Sequence, residues 1–122
     1  MGYKGQVHYS FTPCINDELD KIPADLDKML TVTRICHIID HAIHENYKIF
    51  KTNYIAHDIL FDNNDFADKY SVDDKEAFKK YLDSQIDKID DIKLANYDRF
   101  FLYYKMLQMY SNPLTNHIEA MK

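Results

Sequence analysis

Glycine, proline and tryptophan are the residue types that this sequence has least of. Its 122 residues include two glycines, three prolines and no tryptophan. Both glycines, Gly2 and Gly5, lie at the extreme N-terminus. Tight hairpins favour glycine, and the phosphate-binding loops of nucleotide-binding folds require it. The sequence therefore disfavours a many-stranded sheet and excludes the glycine-rich nucleotide-binding motifs.

Long apolar runs and paired cysteines are also missing. No segment approaches the roughly 18 consecutive apolar residues that cross a bilayer, and the N-terminal segment lacks the apolar core of a signal peptide. Cys14 and Cys36 do not have the spacing of a metal-binding pair, and we interpret both as reduced thiols. We therefore expect no membrane segment and a cytoplasmic location.

Basic residues are outnumbered by acidic ones. Lysine and arginine total 15 against 20 aspartates and glutamates, which gives a net charge of −5. Binding to a phosphate backbone needs clustered positive charge, so direct binding to nucleic acid is disfavoured. Between residues 58 and 91 there are eleven acidic residues against five lysines. This segment predicts an acidic surface, with ordinary solvated helix faces as the alternative. Its predicted members are Asp73, Asp74, Asp83, Asp87, Asp90 and Asp91.

The sequence is rich in material for packed helices. Hydrophobic residues make up 46% of the chain and charged residues 29%, which is enough to bury a core in one domain of this length. We predict an all-α fold, a single helical domain over residues 1–122 built as a bundle of about four or five helices. An extended N-terminal arm is predicted over residues 1–13. There Val7, Tyr9 and Phe11 alternate with polar residues at the period of a strand.

The first half of the chain predicts one short and one long helix. A helical turn is predicted over residues 16–21. The longest helix is predicted from residue 24 to about residue 51. A break is predicted near residue 52 or 53, and helical structure can continue beyond it through residues 54–60. A loop rich in Asp and Asn follows at residues 62–68.

The second half predicts an amphipathic helix and a Tyr-rich helix. Ser71 is a predicted N-cap, with Asp73 and Asp74 in the first turn. The apolar residues of this helix recur three or four positions apart: Phe78, Tyr81, Leu82, Ile86 and Ile89. A weak boundary near residues 91–96 precedes the Tyr-rich helix at 97–110. The pair Asn112–Pro113 then predicts a turn before a short C-terminal helix.

Polar and aliphatic residues occupy opposite faces of the longest predicted helix. At about 100° per residue, its three histidines fall almost opposite a stripe of aliphatic residues. Local core packing does not explain a row of imidazoles, so this face is a candidate contact surface, with an ordinary solvated face as the alternative. The predicted interface residues here are Arg34, His37, Asp40, His41, His44 and Lys48.

The Tyr-rich helix is apolar on nearly every side. Such a helix either occupies the centre of a bundle or exposes an apolar face to a partner. Tyrosine suits both places, because its ring packs while its hydroxyl reaches polar surroundings. We predict Tyr103, Tyr104 and Tyr110 as further interface residues.

A metal site is an alternative interpretation of the histidine face. His37 and His41, four residues apart, can chelate a divalent metal, with Asp40 or His44 as a third ligand. Another helix would supply a further ligand, either His57, His117 or a carboxylate. The sequence has no H-E-x-x-H signature and no cysteine pair. The favoured prediction is therefore no metal and no cofactor.

A ribonuclease is the other alternative. The segment RICHIIDH, residues 34–41, resembles the R-x4-6-H signature of HEPN-type helical ribonucleases. In that family the Arg and His of paired subunits meet at a dimer interface and cleave RNA, so the resemblance implies catalytic roles for Arg34 and His41. It covers eight residues, and Ile35 replaces the polar residue that usually follows the family's Arg.

The favoured function is binding. We predict a small acidic intracellular protein that regulates or inhibits a protein partner by occupying its surface, and that self-associates as a homo-oligomer. The small size and a composition typical of AT-rich codons fit a viral or mobile-element origin. Enzymatic activity stays open and is not favoured.

Overall fold

The structure, a computed structural model, describes residues 5–89 and 96–122, including all of their side chains except those of residues 96 and 97. These residues form five α-helices, one short 3-10 helix and no strand, which confirms the predicted all-α bundle. The elements are α1 (Asn16–Leu19), α2 (Lys28–Asn46), α3 (Lys51–Leu60), the 3-10 helix (Ala67–Lys69), α4 (Val72–Asp87) and α5 (Asn96–Ala120). No helix in the described ranges is long and apolar enough to cross a membrane.

The core lies where α5 packs against α3 and α4. Its fully buried members come from these three helices: Ile55, Ala56, Phe78, Leu82, Ile86, Leu107 and Leu114. The rings of Phe78 and Tyr110 meet edge to face with their centroids 5.2 Å apart. By contrast, α2 contacts α5 but contributes no buried residue.

The amphipathic helix α4 forms as its sequence predicts. The Ser71 hydroxyl accepts a hydrogen bond of 3.1 Å from the backbone N–H of Asp74, and Asp74 accepts one of 3.0 Å from the N–H of Ser71. This reciprocal pair is a capping box, which confirms the predicted N-cap. Of the predicted apolar stripe, the residues near its middle are buried, whereas Tyr81 and Ile89 lie at its exposed edges.

The longest predicted helix is wrong at both ends. It begins at Lys28 because Asp27 is its N-cap, with a carboxylate that accepts a 2.9 Å hydrogen bond from the N–H of Met29. It ends at Asn46, and residues 47–50 are not helical. The predicted break at residue 52 or 53 is in fact the start of α3, where the Asn53 side chain accepts a 2.8 Å hydrogen bond from the N–H of Phe50.

The turn predicted at Asn112–Pro113 is also wrong, because α5 continues through Pro113 to Ala120. Proline removes one helical hydrogen bond and crowds the preceding turn. Contacts on both sides of Pro113 hold the helix against α2 and α3: the Tyr110 carbonyl accepts from Asn53, and His117 donates to α2. Tertiary packing therefore overrides the local signal.

The strand-like period at the N-terminus does not produce a strand. Residues 5–15 have no regular secondary structure, and Val7, Tyr9 and Phe11 are 67%, 81% and 94% exposed. No strand occurs in residues 5–89 or 96–122, so this segment has no neighbouring strand with which to form backbone hydrogen bonds. The helix boundary predicted near residues 91–96 lies mostly outside the described residues.

Candidate functional site

Helix α2 is capped at its N-terminal end and contacts α5 near its C-terminal end. Its start is capped by Asp27. Near its C-terminal end, His117 Nδ1 of α5 donates a 2.9 Å hydrogen bond to the carbonyl of His44, and Asn116 Nδ2 lies 3.5 Å from His44 Nε2. Between these two contacts no α2 residue is fully covered, but Thr31, Ile35, Ile38 and Ala42 are partly buried. The other faces of the helix are accessible.

A groove of about 720 Å³ runs between α2 and the segment that precedes it in the chain. We call it the α2 groove. One wall is formed by residues 12–18, and the other by side chains of α2 that recur three or four positions apart. The lining residues used below are Arg34, His37, His41 and Glu45 from α2, with Asp17 and Glu18 from α1.

The α2 groove contains charges of both signs, and some of them have no partner among the described residues. His41 Nδ1 lies 3.8 Å from a Glu45 carboxylate oxygen, and Glu18 pairs with Lys21 at 2.6 Å. Within residues 5–89 and 96–122, no side-chain hydrogen bond or ion pair engages Arg34 or His37. Ile38 and Ala42 line the same groove and add apolar surface between these groups. The groove thus offers donors, acceptors and an apolar floor together.

The structure separates the predicted histidine-face residues into three places. Arg34, His37 and His41 lie together in the α2 groove. His44 contacts α5 of its own chain and is partly buried, so packing explains it after all. Asp40 is exposed on α2, and Lys48 lies in the link between α2 and α3, beyond the end of the helix.

The predicted tyrosines also divide. Tyr103 and Tyr110 are partly buried against the core, while Tyr104 is 41% exposed. Burial raises the pKa of Tyr110 to about 12, helped by its 3.1 Å hydrogen bond to the Tyr81 hydroxyl. Burial also raises the pKa of Tyr103, and the carboxylates of Asp83 and Glu76 add to this shift. Of the three, Tyr104 is the most exposed to solvent.

Two of the six residues predicted for the acidic surface are paired with basic side chains. Asp74 caps α4 and accepts a 2.9 Å hydrogen bond from Lys51, and the Ser71 and Lys51 hydrogen bonds lower its pKa to about 2. Asp87 pairs with Arg99 at 2.7 Å. Asp73 and Asp83 remain exposed on α4. The predictions for Asp90 and Asp91 lie outside the described residues.

The structure bears differently on the residues of the two alternative chemistries. Among the residues that the structure describes, no group of three or more His, Cys, Asp or Glu side chains is arranged to hold a metal ion. His37 and His41 share the α2 groove, but His44 turns toward α5. Arg34 and His41, the pair implied by the ribonuclease resemblance, line the same groove.

A buried polar cluster beneath the loop between α3 and α4 was not predicted from the sequence. Asp58 is 1% exposed, and its Oδ2 accepts hydrogen bonds from the Phe66 N–H at 3.1 Å and the Tyr70 hydroxyl at 2.8 Å. The His57 ring lies tilted against Phe61 and edge-on to Phe66, with ring centroids 4.6 and 5.2 Å apart. The acidic excess around Asp58 gave no indication of this buried cluster, because a buried aspartate and a solvated one look alike in sequence.

Comparison of the chain with protein-family models, with curated proteins and with solved structures gives no significant match.

Proposed function

We propose that this chain is a small acidic protein-binding regulator or inhibitor, which acts by seating a segment of a protein partner in the α2 groove. The observation that carries this is the lining of the groove. Arg34 and His37 face a volume of about 720 Å³ without hydrogen bonds or ion pairs to the other described residues. Exposed ionisable groups without partners among the described residues are available for recognition, and charge complementarity at an interface gives specificity.

A protein segment fits this lining better than a nucleic acid does. The carboxylates of Asp17, Glu18 and Glu45 stand in the same groove as Arg34, and they would repel a phosphate backbone. A polypeptide can satisfy charges of both signs while laying apolar side chains against Ile38 and Ala42. The groove is favoured over α4 as the binding surface, because Asp74 and Asp87 of α4 already have basic partners.

The test is capture of proteins on the immobilised chain from a lysate of the cells in which the sequence occurs. Arg34→Glu reverses a charge inside the groove. Lys28→Glu makes the same kind of change on an exposed residue of α2 that does not line it. We expect one protein to bind the native chain and Lys28→Glu but to be lost with Arg34→Glu.

The regulatory role needs a second measurement. The captured protein is purified and its own activity is measured as the chain is added. Activity should fall with native chain and with Lys28→Glu, and stay unchanged with Arg34→Glu. Equal capture by both variants would contradict the groove as the binding surface.

A further inference from the structure

On the side of α2 away from the groove, a row of apolar residues is uncovered. We call it the α2 stripe. Met29, Val32, Ile39 and Ile43 are 75%, 50%, 42% and 52% exposed, and Cys36 in the middle is exposed as well. Single exposed apolar side chains are common in soluble proteins, but a continuous row along one helix face is a feature of contact surfaces.

The spacing of the α2 stripe is that of a helix-pairing seam. From Met29 to Ile43 the intervals are three, four, three and four residues, the pattern that keeps one face of a helix against a second helix. The stripe itself carries no charged residue. A second copy of the same stripe can therefore approach it without repulsion between like charges.

The contact can extend beyond the stripe. Two heptads are short for a coiled coil on their own. Val7 and Tyr47, which are 67% and 41% exposed, line a groove of about 420 Å³ together with Ile43. The apolar surface therefore continues from the C-terminal end of the stripe onto the N-terminal segment and the link to α3.

The accessible surface of the chain is large enough to supply such an interface. It measures 9571 Å² for a mass of 14.5 kDa. A folded monomer of that mass has about 6,900 Å², and the exposed residues 5–14 contribute to the difference together with the α2 stripe. A stable interface removes about 800 Å² from each partner. Burying the stripe with its neighbouring apolar residues brings the surface closer to that of an ordinary folded protein.

We propose that a second copy of this chain packs on the α2 stripe, with the two α2 helices related by a two-fold axis that passes close to Cys36. Two-fold dimers are the commonest homo-oligomers, and they use the same patch on both subunits. Cys36 lies seven residues from each end of the stripe, so pairing the whole stripe with its copy brings the two Cys36 side chains together. The α2 groove is on the opposite side of the helix, so this dimer does not depend on the proposed binding function.

The first test is the mass of the full chain in solution by light scattering. At ~100 µM a pairing with a Kd of about 1 µM is nearly complete, and we expect twice the mass of one chain. Val32→Asp and Ile39→Asp should each halve that mass, because they place a carboxylate in the seam. Leu30→Asp is the matched control, since Leu30 is also an aliphatic residue of α2, is 56% exposed and lies off the stripe. It should stay dimeric.

The second test locates the contact with a short bismaleimide that links two nearby thiols. In Cys14→Ser, the remaining Cys36 should give a covalent dimer. In Cys36→Ser, the equally exposed Cys14 should not. Adding Val32→Asp to Cys14→Ser should abolish the crosslink, and circular dichroism checks that each variant stays helical.

The possible outcomes distinguish failure of the proposed dimer from failure of the proposed groove. A native chain that is monomeric at this concentration would overturn the proposal, as would a dimer that crosslinks through Cys14 or that survives both seam substitutions. Monomeric seam variants that still capture the partner would support the dimer and leave the groove proposal intact. Loss of capture with Arg34→Glu alone, in a chain that is still dimeric, concerns the groove only.

Discussion

The Tyr70 hydroxyl donates a 2.8 Å hydrogen bond to Oδ2 of Asp58, and this contact fastens the loop between α3 and α4 onto a buried carboxyl group. The same oxygen accepts from the N–H of Phe66. The other oxygen, Oδ1, has no hydrogen-bond partner in the described part of the chain and lies 3.8 Å from Nδ1 of His57. One side chain therefore fixes both the middle and the end of the loop.

Removing this carboxyl group should loosen the loop. Asp58→Ala leaves the Phe66 N–H without its acceptor and opens a polar cavity, so we expect a loss of about 1–3 kcal/mol in the free energy of unfolding. Tyr70→Phe removes one of the two hydrogen bonds and should cost less. Urea unfolding followed by circular dichroism measures both. Asp68→Ala is the control, because that side chain is 71% exposed, and a loss equal to that of Asp58→Ala would contradict the role given to Asp58.

Alkaline pH should destabilise the fold through its tyrosines. Burial, with the hydrogen bond to Asp58, raises the pKa of Tyr70 from 10.0 to about 12, and the pKa of Tyr110 is raised to a similar value. Between these limits the unfolded chain loses the phenolic protons while the folded chain retains them. The stabilising contribution is therefore complete below about pH 10 and is lost as the pH rises to about 12.

The measurement is the urea midpoint across this range. The double variant Tyr70→Phe with Tyr110→Phe should show a shallower decline than the native chain. Tyr9→Phe, at an 81% exposed position, should follow the native curve. Parallel declines in all three proteins would show that other groups control alkaline unfolding.

Local patterns in the sequence were sufficient where one helix decides its own structure. Phe78, Leu82 and Ile86 recur on one face of α4 and are all buried, and the Ser71 cap forms as predicted. These features depend on residues three or four positions apart, which periodicity and capping rules describe.

The sequence was insufficient where distant helices meet. The backbone carbonyl of His44 accepts from His117, 73 residues later in the chain, and the His44 ring lies 3.5 Å from Asn116. No local pattern encodes that crossing. The side chains of Arg34, His37 and His41 line one groove, but its opposing wall comes from residues 12–18. Whether a polar face is solvated or faces another segment depends on such contacts.

The buried side chain of Asn53 should stabilise the fold through two hydrogen bonds. It is 4% exposed, and its Nδ2 donates a 2.8 Å hydrogen bond to the carbonyl of Tyr110 while its Oδ1 accepts from Phe50. Asn53→Ala should lower the free energy of unfolding by about 1–3 kcal/mol, because it leaves the part-buried Phe50 N–H without its acceptor and removes the donor to the Tyr110 carbonyl. Asn64→Ala, in the exposed loop, is the control. Equal urea midpoints for the two variants would contradict this assignment.

Pro113 should limit the stability of α5. It lies inside the helix between the Tyr110 carbonyl, which accepts from α3, and His117, which donates to α2. A proline in a helix interior costs about 3 kcal/mol relative to alanine. Pro113→Ala should therefore raise the free energy of unfolding by up to that amount, measured by urea unfolding. Pro23→Ala, outside the helices, should give no gain. If Pro113→Ala instead destabilises the chain, the packing of α5 depends on a bend at the proline, and the two contacts that flank it would be the first to weaken.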